Sequence, residues 1–462
     1  MVEEISEKGG NPIEALGHRI SASVEKWMPD PFLFAVLLTF LAYLMGIGIA
    51  GSKPLDMVVY WYKGFWNLLS FAMQMVLILV TGYTLAYHPR VNRLLVLLAS
   101  KPSNGKQAAA LVAFVAMVFS WINWGLGLII GALLARETGR QAYFRNIPMH
   151  YPVIVTSGYT GLGIIWHWGL SGSAPLLSAT KGHFFEDLYG VIPTDQTIFS
   201  GYALILSILS IIFVVTVMYA ISPSDPSRCR GIDHYAPHLI EKKEEAGEEE
   251  SKTTTLADRI EDSRIIGGIL SIMGVIWLIY YFGVQRGDLN LNIVNFTFLF
   301  IGLVLYLRPI RYLRAFYKAI PSSAGIVLQF PFYAGIMGMI KFSGLGKIMA
   351  GWLVGISTPT TFPFIAWLTA GLVNLFVPSG GGEWAVIGET ISRAAMDLGV
   401  PMGKAIIAYS AGDAWTNLFQ PFWAIPLLGI CAVRARDVFG YCITLLILSF
   451  FFFAIGLTVI PY

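Results

Sequence analysis

Between Ala370 and Thr390 the chain reads A-G-L-V-N-L-F-V-P-S-G-G-G-E-W-A-V-I-G-E-T, two apolar arms meeting at Asn374, Pro378, Ser379, Gly380, Gly381, Gly382 and Glu383. Glycines that open an outgoing helix put unpaired N–H groups and about half a positive charge at one point, which suits an anion. Without side chains they also let a carboxylate approach the backbone closely. The carbonyl ends of the incoming arm suit a cation instead. Ser379, Gly380, Gly381 and Gly382, with Asn374, therefore form one wall of a candidate small-anion site. A glycine-rich packing contact between helices would use the same residues; Pro378 and a similar break in the first half of the chain favour the site.

That similar break is Ser120-Trp-Ile-Asn-Trp-Gly125, in which Ser120, Asn123 and Gly125 supply the matching wall. Trp121 and Trp124 beside Asn123 also fit simple interfacial aromatics. The Asn123 and Asn374 amides can coordinate Na⁺ through oxygen or donate to a carboxylate through nitrogen. Charged groups inside apolar segments are costly and default to functional roles. Glu383 lies on the first turn of the outgoing arm, where the helix dipole also explains it. Asp413, in Ser410-Ala-Gly-Asp-Ala-Trp-Thr-Asn417, is the candidate for cation coordination or proton carriage, supported by Thr416 and Asn417. His167, between Trp166 and Trp168, joins the candidate substrate-binding residues as a group able to titrate near neutral pH, with a hydrogen-bonded structural histidine as the alternative. Glu389 and Arg393, four apart, read as a helix ion pair.

No bond-breaking chemistry is signalled. The chain lacks G-x-S-x-G, H-E-x-x-H and a lysine after the triple glycine, so neither hydrolysis nor ATP use has support. Cys229, Cys431 and Cys442 form no C-x-x-C pair and no metal-ligand spacing. No cofactor is expected beyond a possible Na⁺ at the hairpin tips.

The elements that must position these groups are membrane elements. Of 462 residues 56% are hydrophobic and only 13% charged, and mean hydropathy is +0.65. A soluble domain carries about 25% charged residues. The class is therefore an all-α polytopic membrane protein in a lipid bilayer, and a net charge of +3 gives no ground for nucleic-acid binding. Residues 1–30 read as a cytoplasmic or interfacial segment with Trp27 at the interface, and not as a secretory signal. Spans are expected at 31–50, 66–87, 198–221, 265–282, 291–307, 321–340 and 438–459. Two more, at 151–179 and 402–431, are expected to be broken, at 156–175 and 408–417. Residues 107–136 and 359–398 are expected as re-entrant hairpins, because basic clusters flank both ends of the first. Residues 222–262 read as a cytoplasmic polar linker.

Each half then repeats one order: span, interfacial segment, span, interrupted hairpin, broken span, final span. Opposite entry sides make 31–221 and 291–462 an inverted-topology repeat, with 263–283 as the linking helix that flips the second copy. The total is about nine crossings plus two re-entrant hairpins, with the substrate near the midplane. The distribution of Lys and Arg places the N-terminus in the cytoplasm and the C-terminus outside.

Asn374-Leu-Phe-Val-Pro-Ser-Gly-Gly-Gly-Glu-Trp-Ala-Val-Ile-Gly388 and Ser120-Trp-Ile-Asn-Trp-Gly-Leu-Gly-Leu-Ile-Ile-Gly131 resemble the short-chain fatty acid transporter family of bacteria, as do 166–175 and 411–421. The likeness runs from Met28 to the end. It implies uptake of small monocarboxylates such as butyrate or acetoacetate into bacteria across the inner membrane. Relatives in the wider ion-transporter superfamily use inverted repeats, homodimers and a transport domain that moves against a scaffold. Dicarboxylate relatives carry Ser-Asn-Thr at each hairpin tip. Here the tips lack it, which argues against a two-carboxylate substrate. The expectation is a secondary active, elevator-type transporter coupled to Na⁺ or H⁺. An integral-membrane enzyme using His167, Asp413 and Glu383 as acid–base groups on a lipid-linked substrate is the alternative, and a passive channel a third.

Overall fold

The computed structural model describes residues 31–223, 225–240, 255–375 and 377–462. The N-terminal interfacial segment and the acidic run 241–252 lie outside the described residues. Among the described residues every regular element is helical. The first half supplies α1 (Pro31–Gly48), α2 (Pro54–Phe65), α3 (Leu69–Ala86), α4 (Pro89–Ala99), α5 (Gly105–Ile122), α6 (Trp124–Phe144), α7 (Tyr151–Ile164), α8 (Ser173–Ser178) and α9 (Gly201–Ile221). After α10 (Arg264–Ile279) the same order returns as α11 (Leu291–Tyr306), α12 (Pro309–Ala319), α13 (Ala324–Ser343), α14 (Leu345–Gly355), α15 (Phe362–Asn374), α16 (Gly380–Asp397), α17 (Met402–Thr416), α18 (Pro421–Cys431) and α19 (Ala435–Val459).

Six helical stretches among the described residues are long and apolar enough to cross a bilayer: Leu69–Ala86, Gly105–Ile122, Gly201–Ile221, Leu256–Val284, Pro309–Ser343 and Ala435–Val459. The expected spans at 31–50 and 291–307 appear as the shorter apolar helices Ala35–Gly48 and Leu291–Tyr306.

The halves pack by exchange. α13 lies on α1 and α2, and α3 lies on α11 and α12; α4 covers α6 as α14 covers α16. The short helix α18 crosses over to α6, and α8 crosses over to α16.

Helices α5 and α6 form a hairpin. Arg145, just past α6, donates from Nη1 to the carbonyls of Ser100 (2.6 Å) and Pro102 (3.1 Å), which precede α5. A straight run of that many helical residues would hold them roughly 60 Å apart. The reversal occurs at Asn123 alone, in extended backbone (φ −155°, ψ 121°). The hairpin is longer than the expected 107–136: Arg136 and Arg140 lie on α6, where Arg140 pairs with Glu137 at 3.0 Å, rather than in a loop. In the second half, α16 reverses into α17 over 398–401, and the Tyr409 hydroxyl returns to the Gly380 carbonyl (2.9 Å).

Three other expectations shift. The glycines of 156–163 do not break α7, which stays helical to Ile164; the break falls at 165–172. Likewise α17 runs through 408–416, so Asp413 sits inside a helix, and the break comes at 417–420. Glycine is tolerated where neighbouring helices pack against it, whereas Pro421 forces the preceding Gln420 into extended backbone (φ −95°, ψ 105°). The polar linker is anchored at its start, where Ile232 and Ala236 are buried and the Arg230 carbonyl accepts the Tyr151 N–H at 2.9 Å.

Candidate binding site between the broken helices

The four chain breaks converge on one narrow pocket with only about 20 Å³ of free space, lined by Trp124 at the α6 start, Trp166 and Ser173 in the α7–α8 break, Ser379, Gly380 and Gly381 at the α16 start, and Asn417 and Trp423 in the α17–α18 break. Met75 of α3 and Ile326 and Phe330 of α13 close the remaining side.

Ser379 in extended backbone caps α16, its Oγ accepting the Gly382 N–H at 3.3 Å. The next amide, of Glu383, reaches the Ser379 carbonyl at 2.6 Å. No acceptor among the described residues reaches the N–H of Gly380 or Gly381, so two first-turn donors remain available. Both glycines are required by close approach. A Cβ on Gly380 would lie 2.7 Å from His167 Cε1 and from Trp166 Cη2; one on Gly381 would lie 2.5 Å from the Phe71 ring. Gly382 faces Tyr333 instead of the pocket.

The first hairpin contributes differently from expectation. Asn123 Oδ1 accepts the Leu126 N–H (2.9 Å) and Nδ2 donates to the Ile78 carbonyl (3.3 Å), so the side chain caps α6 and ties it to α3. Ser120 and Gly125 are packed against Gly161 and Leu79 respectively. None of these three lines the pocket; Trp124 does. Asn374 pins α15 to the end of α17, its Nδ2 within donor range of Asp413 O (2.7 Å), Thr416 Oγ1 (2.9 Å) and Asn417 Oδ1 (2.9 Å). Its Oδ1 is buried without a partner.

Beneath the α16 start, His167 Nδ1 meets Asp413 Oδ2 at 2.6 Å and His167 Nε2 accepts the Ala174 N–H at 3.2 Å. Glu383 is fully buried beside Asp413, close enough for the two carboxyls to interact, and neither Glu383 oxygen meets a donor among the described residues. Glu389 and Arg393 do form the expected helix pair, at 2.9 Å.

The rest of the wall is aromatic. Trp166 stacks on His167 (4.4 Å, 7°), and Trp124 packs on Trp166 and edge-on to Trp423, whose Nε1 holds the Pro378 carbonyl at 2.9 Å. The pocket thus pairs two free amides with an apolar cage.

Comparison with known proteins places the chain in a family. A family profile described as "Short chain fatty acid transporter" matches residues 12–460. The chain belongs to this family. A protein of Escherichia coli (strain K12) named "Putative short-chain fatty acid transporter" is 39% identical over 435 residues, covering 94% of this chain and 97% of its own. One of the same name from Haemophilus influenzae is 37% identical, covering 96% and 99%. A crystal structure of the Alcanivorax borkumensis YdaH transporter shares the fold, with TM-score 0.58 at 16% identity, over 93% of this chain and 97% of that one.

A member of the short-chain fatty acid transporter family with these apolar helices is a multi-pass membrane protein and a transporter, which removes the reading as an enzyme on lipid-linked substrates. The pocket residues absent from the sequence reading are Met75, Leu162, Ile326, Phe330, Ser173 and Trp423. Trp423 stands two positions after the Pro421 break, which marks it; the other five are ordinary apolar or small positions.

Proposed function

We propose that this chain takes up short-chain monocarboxylates, such as butyrate or acetoacetate, by secondary active transport driven by a cation gradient. The observation that carries it is the pairing of unpartnered Gly380 and Gly381 amides with a pocket of Trp124, Trp166, Trp423, Met75, Ile326 and Phe330. A carboxylate docks on the amides at the positive end of α16, and the cage side chains part to enclose an alkyl tail of a few carbons. No arginine or lysine lines that pocket. A lone anion in such a site lacks a counter-charge, and unit charges about 4 Å apart at an effective dielectric of about 20 interact by about 4 kcal/mol. A co-bound cation supplies that term. Asn374, Glu383, Asp413, Thr416 and Asn417 are the groups near enough to hold it, while Asn123 caps α6 away from the pocket lining.

In this reading the reciprocal packing of α3 and α13 belongs to an inverted-topology repeat with about nine crossings. α5–α6 and α15–α16 are its two re-entrant hairpins. Alternating access is of the elevator type, in a homodimer of the bacterial inner membrane, with the N-terminus inside and the C-terminus outside. Purified protein in liposomes tests the reading: counterflow of labelled acetoacetate against internal butyrate is expected. Its absence for every carboxylate of two to six carbons would reject it.

A further inference from the structure

We propose that the cation travelling with the substrate is a proton held by the Glu383–Asp413 carboxyl pair, with His167 as a positioning residue, one proton for each monocarboxylate. The inference rests on the pocket being a monocarboxylate site.

The geometry at His167 settles its own proton. The Ala174 N–H can only donate, so Nε2 presents a lone pair. Nδ1 then carries the hydrogen and donates to Asp413 Oδ2. The imidazole is neutral in this arrangement and brings no positive charge to the carboxyls. Asp413 Oδ1 and both Glu383 oxygens are buried with no partner. No lysine or arginine pairs with either carboxyl among the described residues. The other titratable groups facing them are Tyr409, which donates to the Gly380 carbonyl, and Tyr333, which donates to Gln329 Oε1. Two ionised carboxylates side by side in this setting would be uncompensated. One proton, bonded to a Glu383 oxygen and donated to Asp413 Oδ1, gives two of the three orphaned oxygens a partner and removes one charge. The three orphaned oxygens all belong to carboxyl groups, which exchange protons, and a shared proton is the smallest cation that gives them a partner.

The same geometry links proton to substrate. A Cβ on Gly380 would stand 3.1 Å from Asp413 Oδ2, so the backbone that presents the tip amides rests directly on the dyad. Glu383 is one helical turn beyond Gly380. A substrate carboxylate on those amides brings a further negative charge to the carboxyl pair. It therefore binds better when the pair holds a proton, and by linkage the pair holds its proton better when substrate is bound. The proton enters Glu383 from water on the side from which substrate comes and leaves to water on the other side with it. The loaded site carries one monocarboxylate and one proton, so the step is electroneutral.

The test uses the full-length protein with acetoacetate as probe. In detergent and weak buffer, binding followed with a pH indicator between pH 6 and 9 is expected to take up close to one proton per substrate at the alkaline end. In liposomes, an inward proton gradient is expected to drive accumulation above that of protein-free liposomes. Replacing sodium by choline, or imposing a potential with potassium and valinomycin, should leave that accumulation unchanged. Glu383→Gln is expected to bind substrate without proton uptake and to lose gradient-driven accumulation. Binding by the native protein with no proton uptake at any pH, or a strict sodium requirement, overturns the proton while leaving the monocarboxylate site standing. Failure of every short monocarboxylate to bind overturns the site itself.

Discussion

His167 Nδ1 lies 2.6 Å from Asp413 Oδ2 across 246 residues of chain, joining the break in one half to the helix that precedes the break in the other. Two further bonds cross the same seam: Tyr159 donates to the Asn417 carbonyl (2.9 Å), and Asn417 Nδ2 donates to the Leu162 carbonyl (3.3 Å). The two broken helices are thus locked to one another by polar bonds in a buried setting. Their tips, and the pocket between them, share one rigid support.

Removing the ring breaks that lock. His167→Ala leaves Asp413 Oδ2 and the Ala174 N–H unpaired in a site with no exposure. Each lost partner costs about 1–3 kcal/mol, so thermal unfolding in detergent should show a clear drop in melting temperature together with loss of substrate protection. A melting curve identical to wild type would show that the His167–Asp413 bond contributes little.

Gly381→Ala should abolish uptake, because the new methyl would lie 2.5 Å from the Phe71 ring. Phe71→Leu in the same chain is expected to restore part of it by vacating that space. Gly351→Ala, with nothing within 4 Å, is the control and should transport normally. If Gly381→Ala transports as well as the control, the tip does not need its close packing.

The two asparagines should separate in function. Asn123→Ala removes an N-cap and is expected to cost about 1 kcal/mol of stability, leaving the cation dependence of uptake intact, since its amide is bonded to Leu126 and Ile78 and does not line the pocket. Asn374→Ala strips the donor shared by Asp413 O, Thr416 and Asn417 and should slow transport as well as destabilise. Measuring uptake and melting temperature on both variants checks this; equal effects on uptake would reject the distinction.

Outside the spans, burial and the neighbouring Arg230 and His234 push His150 down to about 4. Its Nδ1 accepts the Arg230 N–H, which a second proton would displace. A histidine whose folded value lies below its unfolded value of about 6.5 binds more protons when unfolded, so its contribution falls as pH drops from about 6.5 towards 4. Melting temperature should decline over that window, and His150→Gln should flatten the part of the decline that belongs to this group. An unchanged slope in the variant would assign the acid sensitivity elsewhere.

The legible parts of the fold were those written in backbone chemistry. Pro378 and the three glycines mark a break because proline and glycine disturb helices wherever they occur, and Asn123 marks another because asparagine caps. The glycines of 156–163 misled for the same reason: packing against neighbouring helices keeps α7 intact, a tertiary effect that no local pattern carries. The carboxyl pair was visible, as isolated acids in apolar segments, but not the His167 bond that fixes it. The cage was least legible. Met75, Ile326 and Phe330 sit on unbroken apolar helices where pocket-facing, core-facing and lipid-facing residues look alike.

Chain-length preference should therefore respond to those cage residues. Ile326 lines the pocket opposite the tip and makes no polar contact there. Ile326→Ala opens room for two or three methylenes at the tail end. Burying a methylene is worth about 0.8 kcal/mol, close to fourfold in affinity. Competition against labelled acetoacetate should move the optimum from about four carbons to six or seven, with butyrate itself bound more weakly. Phe330→Trp, which fills the same end, should shift the optimum the other way, towards acetate and propionate. If both variants keep the wild-type order of chain lengths, the alkyl tail does not lie between α3 and α13, and the carboxylate must meet the Gly380 and Gly381 amides from another direction.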